Sequence, residues 1–206
     1  MSQQEGEKAE PWRKRWQAGI TPWDQMTHHE SLPRLMSLAL EFGFGEGSYI
    51  LEPGCGTAHN GAYLASLGYE VVSADFVVEA VKNARSLYAD KTGLTIVKMD
   101  IFAEVGFGGR NYDAIFDRAM LCALQPSNRL KYIEAVTKRL KPGGFFFGIL
   151  FRPHSVDSEG PPFPISELDL VELMQEYFSL VTIEPVKTMK PAPLGLGEYI
   201  CIWQKL

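Results

Sequence analysis

Tyr49-Ile50-Leu51-Glu52-Pro53-Gly54-Cys55-Gly56-Thr57-Ala58 reads as a short apolar strand that runs into a glycine turn, with a helical pattern over 58–67 stopped by Gly68. The same rhythm repeats downstream. A strand over 70–74 ends at Asp75 and is followed by a helix over 77–88. Strands over 95–99 and 112–116 end at Asp100 and Asp117. An amphipathic helix over 128–140 closes at Lys141-Pro142-Gly143-Gly144 and gives way to the wholly apolar run 145–151. Strands alternating with helices imply βαβ units, hence a parallel sheet with right-handed crossovers and an α/β fold.

The flanks differ. Residues 1–9 are polar and charged and read as a flexible tail. Trp12 and Trp16 stand one helical step apart, with Trp23 shortly after, and a second helix is expected over 30–42, capped by Gly43. The stretch 152–166 holds Pro153, Pro161, Pro162 and Pro164 without an apolar period, so it is expected as a loop. A helix over 167–177 and two closing strands over 180–185 and 199–204, an antiparallel edge pair, complete one domain spanning 10–206.

Composition narrows the function. With 206 residues, 46% hydrophobic and 22% charged, the chain is an ordinary globular domain rather than a disordered one. Its net charge of -5 lacks the basic face that sequence-independent nucleic-acid binding needs. No apolar run is long enough to span a bilayer and no signal-peptide pattern opens the chain. Cys55, Cys122 and Cys201 are an odd, widely spaced set, which excludes a disulfide framework or a cysteine-rich zinc site and suits a reducing cytoplasm. The expected partner is a small molecule, bound by a monomer or weak dimer.

In an open parallel sheet, ligands bind at the carboxyl ends of the strands. Gly54 and Gly56 let the backbone turn tightly and approach a ligand. A nicotinamide dinucleotide fingerprint would place a third glycine at His59, and it is absent. Glu52, two positions before the first glycine, suits a ligand carrying an ammonium group better than a pyrophosphate. Asp75 can accept both hydroxyls of a ribose, and Asp100 with Ile101 is placed to border an adenine. Together these residues point to an adenosyl ligand, against a plainer reading in which glycine serves the turn and the aspartates cap helices.

Trp12, Trp16, the run Gly19-Ile20-Thr21-Pro22-Trp23-Asp24-Gln25, Pro53-Gly54-Cys55-Gly56 and Phe116-Asp117-Arg118-Ala119 together resemble the thiopurine S-methyltransferase family, and especially the plant thiol and halide methyltransferases. Cys122-Ala123-Leu124-Gln125-Pro126, Leu140-Lys141-Pro142-Gly143-Gly144 and Gly160-Pro161-Pro162-Phe163 continue the resemblance over nearly the whole chain from Trp12. It implies a class I methyltransferase with a Rossmann-like, seven-stranded, mainly parallel sheet, using S-adenosylmethionine and no metal. It further implies that Trp12, Trp16 and Trp23, on a helical segment over 10–45, cover the cofactor, and that Gly54 and Asp75 contact it while Asp100 and Ile101 flank the adenine. The Asp117-Arg118 pair follows the thiopurine branch; the halide branch has tyrosine at the second position and again where Phe163 stands.

Several residues keep two readings. Asp117 is either a general base or a cap and ion-pair partner of Arg118. Arg118 stands beside the transferred methyl, or holds the cofactor carboxylate. Arg152 and Phe163 belong to a substrate lid over 152–166. His28, His29, His59 and His154 lack metal-ligand spacing and are expected to be exposed or capping. Cys55 and Cys122 are expected to pack rather than react, since no histidine is placed to activate them. The expected reaction is in-line methyl transfer to a thiol, hydrosulfide or halide. A thiopurine-like or metalloid oxyanion acceptor, a non-catalytic adenosyl-binding protein and a nicotinamide oxidoreductase are the alternatives.

Overall fold

The computed structural model describes residues 3–103, 111–153, 160–186 and 197–206, with side chains from residue 10 onward. Seven strands form one sheet: β1 (Tyr49–Pro53), β2 (Glu70–Asp75), β3 (Leu94–Lys98), β4 (Tyr112–Arg118), β5 (Leu140–Arg152), β6 (Phe178–Pro185) and β7 (Gly197–Lys205). Their order is β3-β2-β1-β4-β5-β7-β6. The first five pair in parallel, and β7 runs antiparallel to both β5 and β6. Strand order therefore reverses between β1 and β4, and the glycine turn after β1 opens at that switch point, where such sheets bind ligands. Because β7 is antiparallel, its first residues lie at the same rim as the last residues of β4 and β5.

The helices α1 (Gln3–Gln17), α2 (Leu32–Glu41), α3 (His59–Ser66), α4 (Val78–Tyr88), α5 (Met120–Ala123), α6 (Arg129–Thr137) and α7 (Glu167–Met174) flank the sheet, with a 3₁₀ turn over Pro126–Asn128. On one face Leu32, Leu35 and Leu64 pack on Ile50, Phe116, Phe147 and Ile202. On the other, Tyr132, Ile133, Val136, Leu170 and Met174 pack on Ile115, Phe146, Leu150 and Trp203. Alternate residues of β5 thus serve opposite faces, both covered, which is why its stretch from Phe145 to Phe151 is apolar without interruption.

The expected elements are present, with shifted ends. The first helix begins at Gln3, within the polar opening stretch. β5 takes in Lys141 to Gly144, because its register against β4 slips from Tyr112↔Leu140 to Ala114↔Phe145. The helix expected over 128–140 starts as the 3₁₀ turn and ends at Thr137. Of the expected lid, 154–159, with His154, lie outside the described residues.

Candidate active site

The rim is organised by carboxylates that fold backbone around themselves. Asp75 Oδ2 accepts the Gly56 N–H at 3.1 Å and Oδ1 accepts the Val77 N–H at 2.8 Å, so one side chain ties the glycine turn to the start of α4. The Phe76 N–H also reaches this carboxylate, which still has acceptor capacity left for an incoming hydroxyl. Gly54 and Gly56 both have φ near +60°, a left-handed geometry that L side chains rarely adopt. A Cβ on Gly54 would stand 2.7 Å from Met120 Sδ, and one on Gly56 3.5 Å from Trp16 Cζ2. The turn is therefore flanked by α5 on one side and by the tryptophan helix on the other.

The three tryptophans converge. Trp23 stands edge-on to Trp12 at 5.3 Å and to Trp16 at 6.1 Å between ring centroids, with the Arg15 guanidinium 5.4 Å from the Trp12 centroid. Their segment is fastened twice, to α4 and to the turn that leads from β1 into α3. Arg13 and Gln17 reach Glu79 on α4 at 3.6 and 3.0 Å. Asp24 accepts the Thr57 hydroxyl at 3.1 Å and lies 3.3 Å from His59 Nε2, while His59 Nδ1 meets the Tyr88 hydroxyl at 2.6 Å. Burial works to raise the Asp24 pKa, but His59, Met26 and Thr57 outweigh it and hold the carboxyl below its usual value. His59, at the position a dinucleotide site would give to glycine, is thus part of this clasp.

Asp100 follows β3 at the same rim and caps the next turn through the Phe102 N–H at 2.8 Å, with Ile101 buried behind it. Glu52 is placed differently from the expectation of an ammonium contact. Its carboxylate is buried between β2 and α3, takes the Ser73 hydroxyl, and is also reached by the Asn60 side chain and the Gly61 N–H. Gly61 has no Cβ there because one would collide with Ser73 and Glu52. Glu52 braces the base of α3 and acts on the rim only through that helix.

Asp117 is fully buried and works as a cap. Its oxygens accept the Met120 N–H at 3.0 Å, the Leu121 N–H at 3.0 Å and the Tyr132 hydroxyl at 2.8 Å. The ion-pair partner of Arg118 is not Asp117 but Glu198, at 3.1 Å, and the guanidinium lies 5.0 Å from the Phe151 ring centroid. His29, expected to be exposed or capping, does cap, accepting the Ser31 N–H on Nδ1, but it is buried and its Nε2 meets Glu198 at 2.9 Å. Phe163 is seated on α5, its N–H donating to the Cys122 carbonyl at 2.6 Å, while its own carbonyl accepts from Arg129 at 2.6 Å. Arg152 pairs with Glu167 at 2.9 Å, fastening α7 to the end of β5. Burial, then Glu52 and Asp75, push the Cys55 thiol well above its usual value, and burial pushes Cys122 up to about 12, so neither is a thiolate nucleophile. Among the described residues, no three histidine, cysteine, aspartate or glutamate side chains converge as a metal site.

A glycine cradle at the switch point, a strand-terminal carboxylate facing it and an aromatic cover over it fit an adenosyl ligand with a bulky sulfonium tail, and with this strand order they define a class I S-adenosylmethionine-dependent methyltransferase. The chain belongs to the thiopurine S-methyltransferase family: residues 7–195 match the family description "Thiopurine S-methyltransferase (TPMT)". It is 32% identical over 181 residues to probable thiol methyltransferase 2 of Arabidopsis thaliana, covering 84% of this chain and 76% of that protein. It is 30% identical over 158 residues to thiocyanate methyltransferase 1 of Brassica oleracea, covering 75% and 67%. Among solved structures, the Burkholderia thailandensis 1,6-didemethyltoxoflavin-N1-methyltransferase with S-adenosylhomocysteine shares the fold at a TM-score of 0.74 and 20% identity, covering 98% of this chain and 90% of that one.

The buried carboxylates give the site a testable pH signature. Burial raises Glu52 to about 7 and both Asp75 and Asp117 to about 6, against ordinary values of about 4 in an unfolded chain. Between about pH 4 and pH 7 these three groups bind more protons in the folded chain than in the unfolded one, so their contribution to stability rises as pH falls through that window. With Asp75 as the acceptor of ribose hydroxyls, cofactor affinity is expected to move the other way, because a protonated carboxyl is a poorer acceptor. Melting the free protein at about pH 7.5 and 5.5 is expected to give the higher midpoint at the lower pH, with weaker S-adenosylhomocysteine binding there. A midpoint that drops at the lower pH counts against these assignments.

Proposed function

We propose that the chain moves the sulfonium methyl of S-adenosylmethionine to a small soft nucleophile, a thiol, hydrosulfide or halide, by in-line displacement. The observation that carries this reading is the buried guanidinium of Arg118, set at the end of β4 on the rim that also holds Asp75 and the glycine turn, with Phe151 beneath it. Bound S-adenosylmethionine supplies an electrophilic methyl on a cationic sulfur. Asp75 and the Gly54–Gly56 backbone hold the adenosyl half, Asp100 and Ile101 border its base, and Trp12, Trp16 and Trp23 exclude water above it. Arg118 receives the acceptor, and Phe163, anchored by Arg129 and α5, walls the pocket.

The chemistry asks little more than alignment in a dry site. An anion meeting a sulfonium loses charge in the transition state, so exclusion of water favours reaction, and orientation supplies much of the rest. Halides have no proton to remove, and a thiol is already a few per cent thiolate at neutral pH, so no base is required. The commitment of Asp117 to capping is compatible with that. The names of the thiol and thiocyanate methyltransferase relatives point to the same acceptor class.

An acceptor panel read as S-adenosylhomocysteine formed tests the reading. Iodide, thiocyanate, hydrosulfide and small thiols are expected to turn over, with thiol rates rising with pH, while amines and hydroxyls do not. Arg118→Ala is expected to raise the Michaelis constant for an anionic acceptor by at least about tenfold while changing S-adenosylmethionine affinity by less than about threefold. Turnover confined to amines or hydroxyls would sink the proposal, and a loss confined to the cofactor would move Arg118 out of the acceptor site.

A further inference from the structure

Arg118 does not stand alone at the rim. Glu198, at the start of β7, places Oε1 3.1 Å from Arg118 Nη2, and its other oxygen meets His29 Nε2 at 2.9 Å. The direction of the second contact is fixed by the backbone. His29 Nδ1 accepts the Ser31 N–H at 3.1 Å, so the ring proton sits on Nε2 and is donated to the carboxylate. His29 is itself held to α3, through its own N–H to Asn60 Oδ1 at 2.8 Å. All three side chains are almost fully buried, at 3%, 1% and 8% exposure for His29, Glu198 and Arg118. Arg118 Nη2 and Glu198 Oε1 face each other at ion-pair distance without hydrogen-bond geometry, and neither has another hydrogen-bond partner among the described residues.

That arrangement is peculiar for a structural ion pair. Two buried charges repay their desolvation only with good geometry and further hydrogen bonds on their remaining atoms, and this pair has neither on the facing edge. The guanidinium keeps N–H donors that the carboxylate does not use. Burial works against both charges. Glu198 opposes that effect on Arg118, while His29 and Arg118 hold the Glu198 carboxyl below its usual value.

We infer that Glu198 is a positioning residue that sets the charge preference of the acceptor pocket: it holds the Arg118 guanidinium and cancels its charge, so that the pair is neutral overall and an anion is admitted on directed N–H bonds rather than on the net charge of the pair. The inference rests on the reading of Arg118 as the acceptor's contact. It makes the two members of the pair act in opposite directions. Removing the carboxylate charge leaves a naked guanidinium that draws anions more strongly; removing the guanidinium leaves a naked carboxylate that repels them. A merely structural pair would weaken anion binding whichever member was changed.

The test is calorimetric titration of thiocyanate into the protein saturated with S-adenosylhomocysteine. Glu198→Gln is expected to tighten thiocyanate by at least about fivefold and Arg118→Met to weaken it by at least about fivefold. The uncharged double variant Arg118→Met/Glu198→Met, a replacement that buried pairs commonly tolerate, is expected to bind thiocyanate more tightly than Arg118→Met alone. If Glu198→Gln does not fold, that last comparison decides. Equal or weaker binding in Glu198→Gln overturns the inference, as does equal binding in the double and single methionine variants, or no thiocyanate binding in either wild type or Glu198→Gln. The predicted order of affinities in an enzyme that methylates no thiol or anion would refute the acceptor class and leave the role of Glu198 standing. Turnover of anions without that order would do the reverse.

Discussion

Asp75→Ala is expected to weaken S-adenosylhomocysteine binding by about 100-fold, equivalent to about 2.7 kcal/mol. Two losses combine. The ligand loses a carboxylate able to take both ribose hydroxyls, and charge-assisted bonds are roughly twice as strong as neutral ones. The protein loses the acceptor that holds the Gly56 N–H at 3.1 Å and the Val77 N–H at 2.8 Å, so the glycine turn is no longer preformed. Asp75→Asn keeps one acceptor oxygen and is expected to lose only about tenfold. Calorimetry on both variants, with circular dichroism and a melting midpoint to establish folding, separates these contributions. An affinity within about threefold of wild type in a folded Asp75→Ala protein would remove Asp75 from the ribose site.

Much of this rim was legible in the sequence because its geometry is local. A strand followed by glycine at the first βα turn, and aspartate at the tips of β2 and β4, are set by chain neighbours, and the structure places them where the pattern put them. Glu52 lies in the same stretch, but the direction of its side chain is not a local property. Its distance from the glycine does not reveal the pleat that turns its side chain into the layer beneath α3. The partner of Arg118 differs from the sequence expectation for a related reason. Adjacent residues on a strand point to opposite faces, so Asp117 and Arg118 cannot readily pair while both belong to β4, and that alternation was a signal available without coordinates. The true partner, Glu198, arrives on an antiparallel strand late in the chain, and His29 arrives from before α2. No local pattern joins them. Met120 against Gly54 and Arg129 beneath Phe163 are likewise products of tertiary packing.

The same alternation bears on the oldest ambiguity of the site, whether Asp117 removes a proton or holds a turn. Its carboxylate is wholly buried and accepts from Met120 N, Leu121 N and the Tyr132 hydroxyl, where the chain leaves β4 through Ala119 at a φ of +66°. Truncation would strand three buried donors, each costing about 1–3 kcal/mol, partly offset by relief of a buried charge. Asp117→Ala is therefore expected to destabilise the fold by about 3 kcal/mol, which for a chain of this size is a fall of about 6–12 °C in melting midpoint. In the fraction that remains folded, at a temperature well below that midpoint, turnover of iodide or thiocyanate is expected to stay within about threefold of wild type, because those acceptors have no proton to give up. A general base predicts the opposite split. It would leave the midpoint nearly unchanged, spare the halide reaction, and depress thiol methylation by on the order of 100-fold, most severely at low pH where the thiolate is scarce. Measuring the midpoint together with the halide and thiol rates on one preparation distinguishes the two, since a cap lowers the first and treats both acceptors alike.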